Sequence, residues 1–169
     1  MKNIEIEKKF LVKKEDLIID YKKYKHHKII QGFIYLKPAI RLRKQDDKYF
    51  FTIKEKMMSE KSLVKDIARK EFEFEISKKA FNDLIKLSKG RLIYKVRYNI
   101  PYIYNNKKYN IELDVFEKDY KGLIYAEVEF KNFRDAKNFV PPKWFYKDVS
   151  GIEKYKNTAL SICKKPKKI

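Results

Sequence analysis

The sequence predicts an α+β protein whose main element is a closed, eight-stranded antiparallel β-barrel with a charged interior and covering helices. In six segments, like-signed charges lie two positions apart around an apolar residue, as in Glu5-Ile6-Glu7 and Arg41-Leu42-Arg43. Because successive side chains of a strand point to opposite faces, each segment has one ionic face and one apolar face. The other segments are Glu71-Phe72-Glu73-Phe74-Glu75, Lys95-Val96-Arg97, Glu112-Leu113-Asp114 and Glu127-Val128-Glu129.

Strand-like stretches recur along the whole chain, separated by turn signals such as Lys37-Pro38 and Lys121-Gly122. A sandwich would bury the ionic faces without partners, at a prohibitive cost. A barrel of about eight strands instead has an interior wide enough for side chains or one small ligand, and its closure removes exposed edges. The eight predicted strands are residues 3–12, 28–37, 39–45, 48–56, 66–76, 91–100, 108–117 and 123–132. The residues expected on the outer face, under helices, are Ile6, Leu42, Val96, Leu113 and Val128.

Helix signals occupy the remaining segments. Ser77 is a suitable N-cap for a helix that ends at Gly90, and Asn132 for a short helix over 133–139. Ser150-Gly151-Ile152-Glu153 has the spacing of a capping box, which predicts a final helix reaching about Cys163.

Length and composition predict a single domain over residues 1–163, followed by a basic tail at 164–169. The net charge of +19 comes from 36 Lys and only 6 Arg, which indicates a lysine-biased proteome more than a basic patch. Nucleic acid is therefore not expected as a partner, and a tunnel about one side chain wide excludes duplexes. The lone Cys163 and the absence of a signal or membrane-spanning stretch favour a cytoplasmic protein without a membrane partner. A homodimer is left open.

The signs of the charges are segregated by strand. Like charges close together destabilise a sheet, so this segregation calls for something between the strands. Lys and Arg would hold an anion there, and Glu and Asp would hold a metal. The substrate class that this arrangement implies is a metal-bound polyphosphate.

Glu5-Ile6-Glu7-Lys8-Lys9 resembles the ExExK signature of the CYTH, or triphosphate tunnel metalloenzyme, superfamily. The pattern is most similar to compact bacterial members with tripolyphosphatase or broad nucleoside-triphosphatase activity. Further matches follow in family order: Gln31-Gly32-Phe33, Arg41-Leu42-Arg43, Thr52-Ile53-Lys54, Arg69-Lys70-Glu71-Phe72-Glu73, Lys95-Val96-Arg97-Tyr98, Glu112-Leu113-Asp114, Glu127-Val128-Glu129, Pro141-Pro142-Lys143-Trp144-Phe145 and Lys154-Tyr155-Lys156-Asn157.

The resemblance implies roles for individual residues. The basic residues that match the phosphate cradle are Lys9, Arg41, Arg43, Lys54, Lys95 and Arg97, with Lys156 as a further substrate contact. The expected ligands of Mg²⁺ or Mn²⁺ are Glu5, Glu7, Glu127 and Glu129. Glu71, Glu73 and Asp114 would complete a second metal site or position the attacking water. The residues expected to be catalytic are Glu73, Asp114 and the six basic residues Lys9, Arg41, Arg43, Lys54, Lys95 and Arg97.

The implied function is metal-dependent hydrolysis of the terminal phosphate of an inorganic, nucleoside or organic triphosphate. Two alternatives stay open: an adenylyl cyclase that uses the same cradle, and a non-catalytic polyphosphate binder. Phe33 stands where the family often has Tyr, so either Tyr35 substitutes or no tyrosine is needed. Glu75 and Glu112 are expected in rim salt bridges, and His26 and His27 in a surface turn.

Overall fold

The computed structural model describes residues 4–57 and 67–163. Its main element is a sheet in which every strand pairing is antiparallel. The strands are β1 (Ile4–Leu11), β2 (His26–Leu36), β3 (Ala39–Gln45), β4 (Lys48–Lys56), β5 (Ala68–Glu75), β6 (Ile93–Tyr104), β7 (Lys107–Phe116), β8 (Ile124–Glu129) and β9 (Lys147–Asp148). The basic tail at 164–169 lies outside the described residues.

Eight of these strands form a closed ring. The order is β5-β4-β3-β2-β6-β7-β8-β1, and β1 pairs again with β5 to close the barrel. Within the described residues the closing contact is short: residues 4–6 of β1 pair with residues 68–70 of β5. Beyond that point the same edge of β1 pairs with the two-residue strand β9. The predicted barrel is confirmed, and β9 is an addition to it.

In the described part of the chain, three short helices lie on the barrel: α1 (Lys78–Leu84), α2 (Phe133–Asn138) and α3 (Asn157–Ile162). The predicted caps of the first two are confirmed, because Ser77 Oγ accepts from Ala80 N and Asn132 Oδ1 accepts from Asp135 N. Short 3₁₀ turns occupy residues 21–23, 85–87, 118–120 and 153–155. No helix in the two described ranges is long and apolar enough to cross a membrane.

The predicted continuous helix from Ser150 to Cys163 is wrong. Gly151 has a φ of 73°, and Lys156 is extended at φ −74° and ψ 146°, so the segment divides into a 3₁₀ turn and α3. Ser150 does not cap this segment's helix, because its Oγ accepts instead from the backbone N of Lys9 at 3.0 Å. The predicted capping residue Ser150 therefore binds the C-terminal segment to β1 instead of capping a helix.

The outer face of the barrel is apolar and mostly covered, as predicted. Ile6, Leu42, Leu113 and Val128 are buried, whereas Val96 is only partly buried. Much of the cover comes from residues after α2, with Phe139 and Trp144 in the same core cluster as Ile6, Leu113 and Val128.

Part of the outer face of β5 is exposed. The sequence suggests that Phe72 and Phe74 pack beneath helices, but they are 47% and 53% exposed. Phe74 instead stacks on Phe51 of β4 at a centroid distance of 5.2 Å.

One end of the barrel interior is filled by apolar side chains, which the charge pattern did not predict. Leu11, Phe33, Ile93, Phe116 and Tyr125 each lie two positions from a polar residue that faces inward, so they share its side of the strand. They form one buried cluster, completed by Tyr120, Leu123, Val149 and Leu160. The ionic part of the interior is therefore bounded by an apolar wall at this end.

Candidate active site

The rest of the interior is a cavity of about 1110 Å³. It is lined by all the predicted basic residues: Lys9, Arg41, Arg43, Lys54, Lys95, Arg97 and Lys156. All the predicted carboxylates except Asp114 line it too: Glu5, Glu7, Glu71, Glu73, Glu127 and Glu129. The alternation of side chains along the strands thus brings the predicted site residues into one space.

Glu73 of β5 holds two arginines of β3. Arg41 Nη2 donates to Glu73 Oε2 at 3.0 Å, and Arg43 Nη2 donates to Glu73 Oε1 at 2.7 Å. Thr52 of β4, which is fully buried, donates to the same Oε2 at 2.7 Å and accepts from Arg41 at 3.2 Å. Burial opposes ionisation of Glu73, but Arg43, Thr52 and Arg41 together lower its pKa. Sequence reasoning assigned no separate role to Thr52, although its hydroxyl fixes this cluster.

Lys54 of β4 joins β1 to β5. Its Nζ lies 2.7 Å from Glu5 Oε2 and 3.0 Å from Glu71 Oε2. Burial raises the pKa of Glu5, but the charge and hydrogen bond of Lys54, together with Glu71 and Arg41, lower it to about 2. Glu5 is therefore ionised at neutral pH and serves as the partner of a cation.

Asp114 lies behind the cavity wall. It is fully buried, and it accepts from Lys95 Nζ and, at 2.7 Å each, from Arg97 Nε and Nη2. These bonds occupy the carboxylate, so its position suits holding Lys95 and Arg97 in place. Asp114 is not among the residues that line the cavity, and its expected role as a metal ligand or in positioning the attacking water stays a prediction.

Glu127 of β8 is bound by cations from two other strands. Lys9 Nζ lies 2.9 Å from its Oε1, and Arg97 Nη2 lies 2.5 Å from its Oε2. Burial opposes ionisation, but Lys9 and Arg97 hold the pKa of Glu127 well below its ordinary value. The same pairing raises the pKa of Lys9 against its own burial.

Glu7 differs from the other carboxylates because no ion pair of Glu7 occurs within the described ranges. Burial and the nearby charges of Glu127 and Glu5 raise its pKa to about 8. It lies directly opposite Glu129, which is exposed at the cavity edge, in the pairing of β1 with β8. Glu7 and Glu129 are facing carboxylates, and the raised pKa of Glu7 opposes its ionisation. A hard cation bound between them would offset their repulsion.

The side chains do not form a closed metal site. Among residues 4–57 and 67–163, no three acidic, histidine or cysteine side chains are grouped closely enough to hold a metal ion. Of the expected metal ligands Glu5, Glu7, Glu127 and Glu129, Glu5 and Glu127 are bound to cations. Metal binding would require those two carboxylates to release their lysine partners.

Among the residues that the structure describes, three buried N–H donors at the cavity have no hydrogen-bond partner: Gln31 Nε2, Arg41 Nε and Arg43 Nε. Burial and the charge of Arg41 lower the pKa of Arg43 to about 10. The arginine cluster thus has more positive charge and more donors than its carboxylates satisfy. An anion with several oxygens would supply what is missing.

Tyr35 does not take the place of the tyrosine that Phe33 replaces. A β-bulge lies between Phe33 and Tyr35 in the pairing of β2 with β3, so Tyr35 does not share the face of Phe33. Phe33 lines the cavity, whereas Tyr35 is 48% exposed and lies beneath Lys89 Nζ, 5.0 Å from the ring centroid. Of the two alternatives left by the sequence, substitution by Tyr35 is wrong.

The edges of the site differ from one another. Lys156 pairs with Glu153, and both line the cavity where the C-terminal segment crosses it. Glu112 makes the predicted salt bridge, with Arg97, and its side chain is 30% exposed at the cavity. Glu75 makes the predicted exposed salt bridge, 3.5 Å from Lys48.

The histidines do not lie in a turn. His26 and His27 begin β2, and His27 Nδ1 is 2.6 Å from Asp46 Oδ2.

Comparison with known proteins supports the same interpretation. The family model for the CYTH domain matches residues 3–142. The inorganic triphosphatase of Nitrosomonas europaea is 36% identical to this chain over 125 residues, which are 73% of this chain and 74% of that protein. The solved structure of the inorganic triphosphatase NE1496 has a TM-score of 0.64 and 30% identity, and the match covers 95% of this chain and 96% of that chain.

A more distant solved structure shares the fold alone. HpAC1 of Hippeastrum, for which a dominant triphosphatase activity is described, has a TM-score of 0.52 at 18% identity. The match covers 79% of this chain and 82% of that chain. With the family match over most of its length and a barrel of the same architecture, this chain belongs to the CYTH family.

Proposed function

We propose that this protein hydrolyses the terminal phosphate of a triphosphate inside the barrel, with Mg²⁺ or Mn²⁺ as the cofactor. The observation that carries the proposal is the convergence of six basic side chains from β1, β3, β4 and β6 on one cavity. The 36% identity to an inorganic triphosphatase favours inorganic tripolyphosphate as the substrate to test first.

Substrate binding is an exchange of partners. Without substrate, the cavity cations are bound to carboxylates, as in the Lys9–Glu127 and Lys54–Glu5 pairs. A triphosphate brings charged oxygens that can replace those carboxylates around the lysines and arginines. Because the cations are fixed on strands, they hold the bound triphosphate extended and position its terminal phosphorus for attack.

The carboxylates released in this exchange fit a hard divalent cation. Glu5, Glu7, Glu127 and Glu129 offer oxygen ligands on the neighbouring strands β1 and β8. Mg²⁺ or Mn²⁺ held there would neutralise charge on the transferring phosphoryl group and acidify a bound water. Binding of the phosphate to the lysines would thus free carboxylates for the metal, and binding of the metal to the carboxylates would free lysines for the phosphate.

The remaining acidic residues have positioning roles in this proposal. Glu73 and Thr52 orient Arg41 and Arg43, and Asp114 orients Lys95 and Arg97. Glu71, which shares Lys54 with Glu5, can accept a hydrogen bond from the attacking water once phosphate has taken over Lys54. Burial raises the pKa of Glu71, which brings it closer to the range of a useful base.

The proposal is tested by incubating the protein with tripolyphosphate, ATP or thiamine triphosphate, each with Mg²⁺ or Mn²⁺, and identifying the products. Orthophosphate released together with the matching diphosphate is the expected result, and EDTA should abolish it. Cyclic AMP from ATP would instead indicate the cyclase chemistry. Full hydrolysis in EDTA would overturn the role of the metal, and the absence of turnover with every substrate would overturn the enzymatic proposal.

A further inference from the structure

Gln31 is the one neutral side chain among the unpaired donors of the cavity's described wall. It is 1% exposed, it lines the cavity, and its Nε2 has no hydrogen-bond partner. A buried amide donor without a hydrogen-bond partner in the protein is rare in native structures, and leaving it unsatisfied costs free energy. Its cost calls for a functional explanation.

The position of Gln31 relates it to the arginine cluster. In the β2–β3 pairing it lies directly opposite Arg43, whose Nε is also unpaired. Side chains of opposite residues share one face and approach closely. Behind it, Gly32 packs so tightly that a Cβ there would lie 2.3 Å from Ser88 Oγ, so the backbone of β2 is fixed at this point.

A neutral donor does something here that a further cation would not. The charged residues of the site hold carboxylates in the absence of substrate, as Arg43 holds Glu73. An uncharged amide attracts a carboxylate less strongly, so its N–H stays open until an anion arrives. It also adds no positive charge beside Arg43, whose pKa is already lowered by burial and by Arg41.

We propose that Gln31 is a substrate-binding residue whose Nε2 donates a hydrogen bond to a phosphate oxygen also contacted by the free Nε edge of Arg43. This inference rests on the proposed function, since it takes a phosphate chain as the ligand. Gln31 would make the unliganded protein less stable, because its Nε2 donor is satisfied only when phosphate is bound.

Two substitutions separate this role from packing. Gln31→Met keeps the length of the side chain and removes both polar atoms. Gln31→Glu keeps the shape and an acceptor but replaces the donor with an oxygen. Ile29→Val, two positions along the same inward face of β2, is the control for a small disturbance of the interior.

The measurements are the melting temperature and the Kd for tripolyphosphate, both in EDTA so that no turnover occurs, and kcat/KM with Mg²⁺. We expect the unliganded Gln31→Met protein to melt at or above the wild-type temperature. Its Kd should rise about tenfold, equal to about 1.4 kcal/mol, and kcat/KM should fall at least as much. Gln31→Glu should weaken binding further, whereas Ile29→Val should keep the wild-type Kd.

The outcomes are distinct for the two proposals. If Gln31→Met melts lower than wild type but binds tripolyphosphate equally well, Gln31 is a packing residue and the inference fails. Equal binding by Gln31→Glu would also overturn it, because no donor would be needed. If the wild type binds tripolyphosphate but hydrolyses no triphosphate, the proposed function fails while the binding role of Gln31 is still decided by the Kd values. If the wild type does not bind tripolyphosphate, both fail.

Discussion

Arg43 shows at the level of a single side chain how the cradle differs from general basicity. One terminal nitrogen of its guanidinium is held by Glu73, while Nε is buried and unpaired. A guanidinium presents several donors in one fixed plane, whereas an ammonium is a compact point charge. The substitution Arg43→Lys keeps the positive charge but removes the Nε donor, which is the side of the guanidinium that Glu73 does not bind.

We therefore expect Arg43→Lys to lower kcat/KM for tripolyphosphate at least about tenfold, a loss of roughly 1.4 kcal/mol of transition-state stabilisation. Lys8→Ala is the control, because Lys8 lies between the inward Glu7 and Lys9 on β1 and therefore points outward. Steady-state kinetics of both variants at one ionic strength measures the difference. Equal losses would mean that net positive charge, not a shaped cradle, binds the substrate.

Glu7 should reduce the stability of the metal-free protein. Its pKa in the fold is raised from the ordinary 4.5 to about 8 by burial and by Glu127 and Glu5. The unfolded chain therefore releases this proton first as the pH rises, so the contribution of Glu7 to stability falls between about pH 4.5 and 8 and remains lost above.

In EDTA, Glu7→Gln should raise the free energy of unfolding at pH 8 by at least about 1 kcal/mol, since one pKa unit corresponds to about 1.4 kcal/mol. Near pH 4.5 the variant and the wild type should differ little. Urea unfolding at the two pH values measures both. A variant that is less stable at pH 8 would show that the carboxylate makes favourable contacts when ionised.

At the scale of elements, the period of two predicted the barrel and its inward cations because six segments repeat it without interruption. It failed where one residue breaks the period, as at the bulge between Phe33 and Tyr35. It also missed the apolar cluster around Phe116. The alternation along a strand shows which side chains face the interior, but not how far along the barrel axis each of them lies. Gln31 stood in a matched motif, but no sequence signal shows that a neutral amide will be buried without a partner.

The contact between the end of the α1 segment and α3 predicts an asymmetry between two glycines. Both have positive φ, 75° at Gly90 and 102° at Gly122. A Cβ at Gly90 would lie 2.1 Å from the backbone O of Ser161 in α3, whereas a Cβ at Gly122 would meet nothing within 4 Å. Alanine at Gly122 therefore tests the backbone strain alone, and alanine at Gly90 adds a clash with backbone.

We expect Gly90→Ala to destabilise the protein by about 1–3 kcal/mol more than Gly122→Ala, the usual cost of overpacking. Chemical unfolding of both variants gives the comparison. Because residues 157 and 158 of α3 line the cavity, Gly90→Ala should also weaken tripolyphosphate binding. If the two variants are equally stable, α3 moves aside at no cost and does not depend on this contact.

At the scale of the whole molecule, the net charge of +19 and the charge of the cavity should affect anion binding differently. Exposed lysines such as Lys79, 91% exposed and 3.2 Å from Asp83, are dispersed over the surface and screened by salt. The cavity cations lie inside the ring on β1, β3, β4 and β6, so a single phosphate can reach only some of them. Chain length, and not charge alone, should therefore decide how strongly an anion stabilises the fold.

In EDTA at fixed ionic strength, we expect the melting temperature to rise in the order phosphate, pyrophosphate, tripolyphosphate. A ligand at a hundred times its Kd adds about 2.7 kcal/mol, and a domain of this size gains about 2–4 °C per kcal/mol. Tripolyphosphate should thus raise the melting temperature by roughly 5–10 °C. Lys79→Ala should leave the order and the shifts unchanged, while Lys54→Ala should flatten the order by removing the cation that joins β1 to β5. Equal shifts with sulfate and tripolyphosphate would mean that the anions act on the dispersed surface charge and not on a cradle built across the barrel.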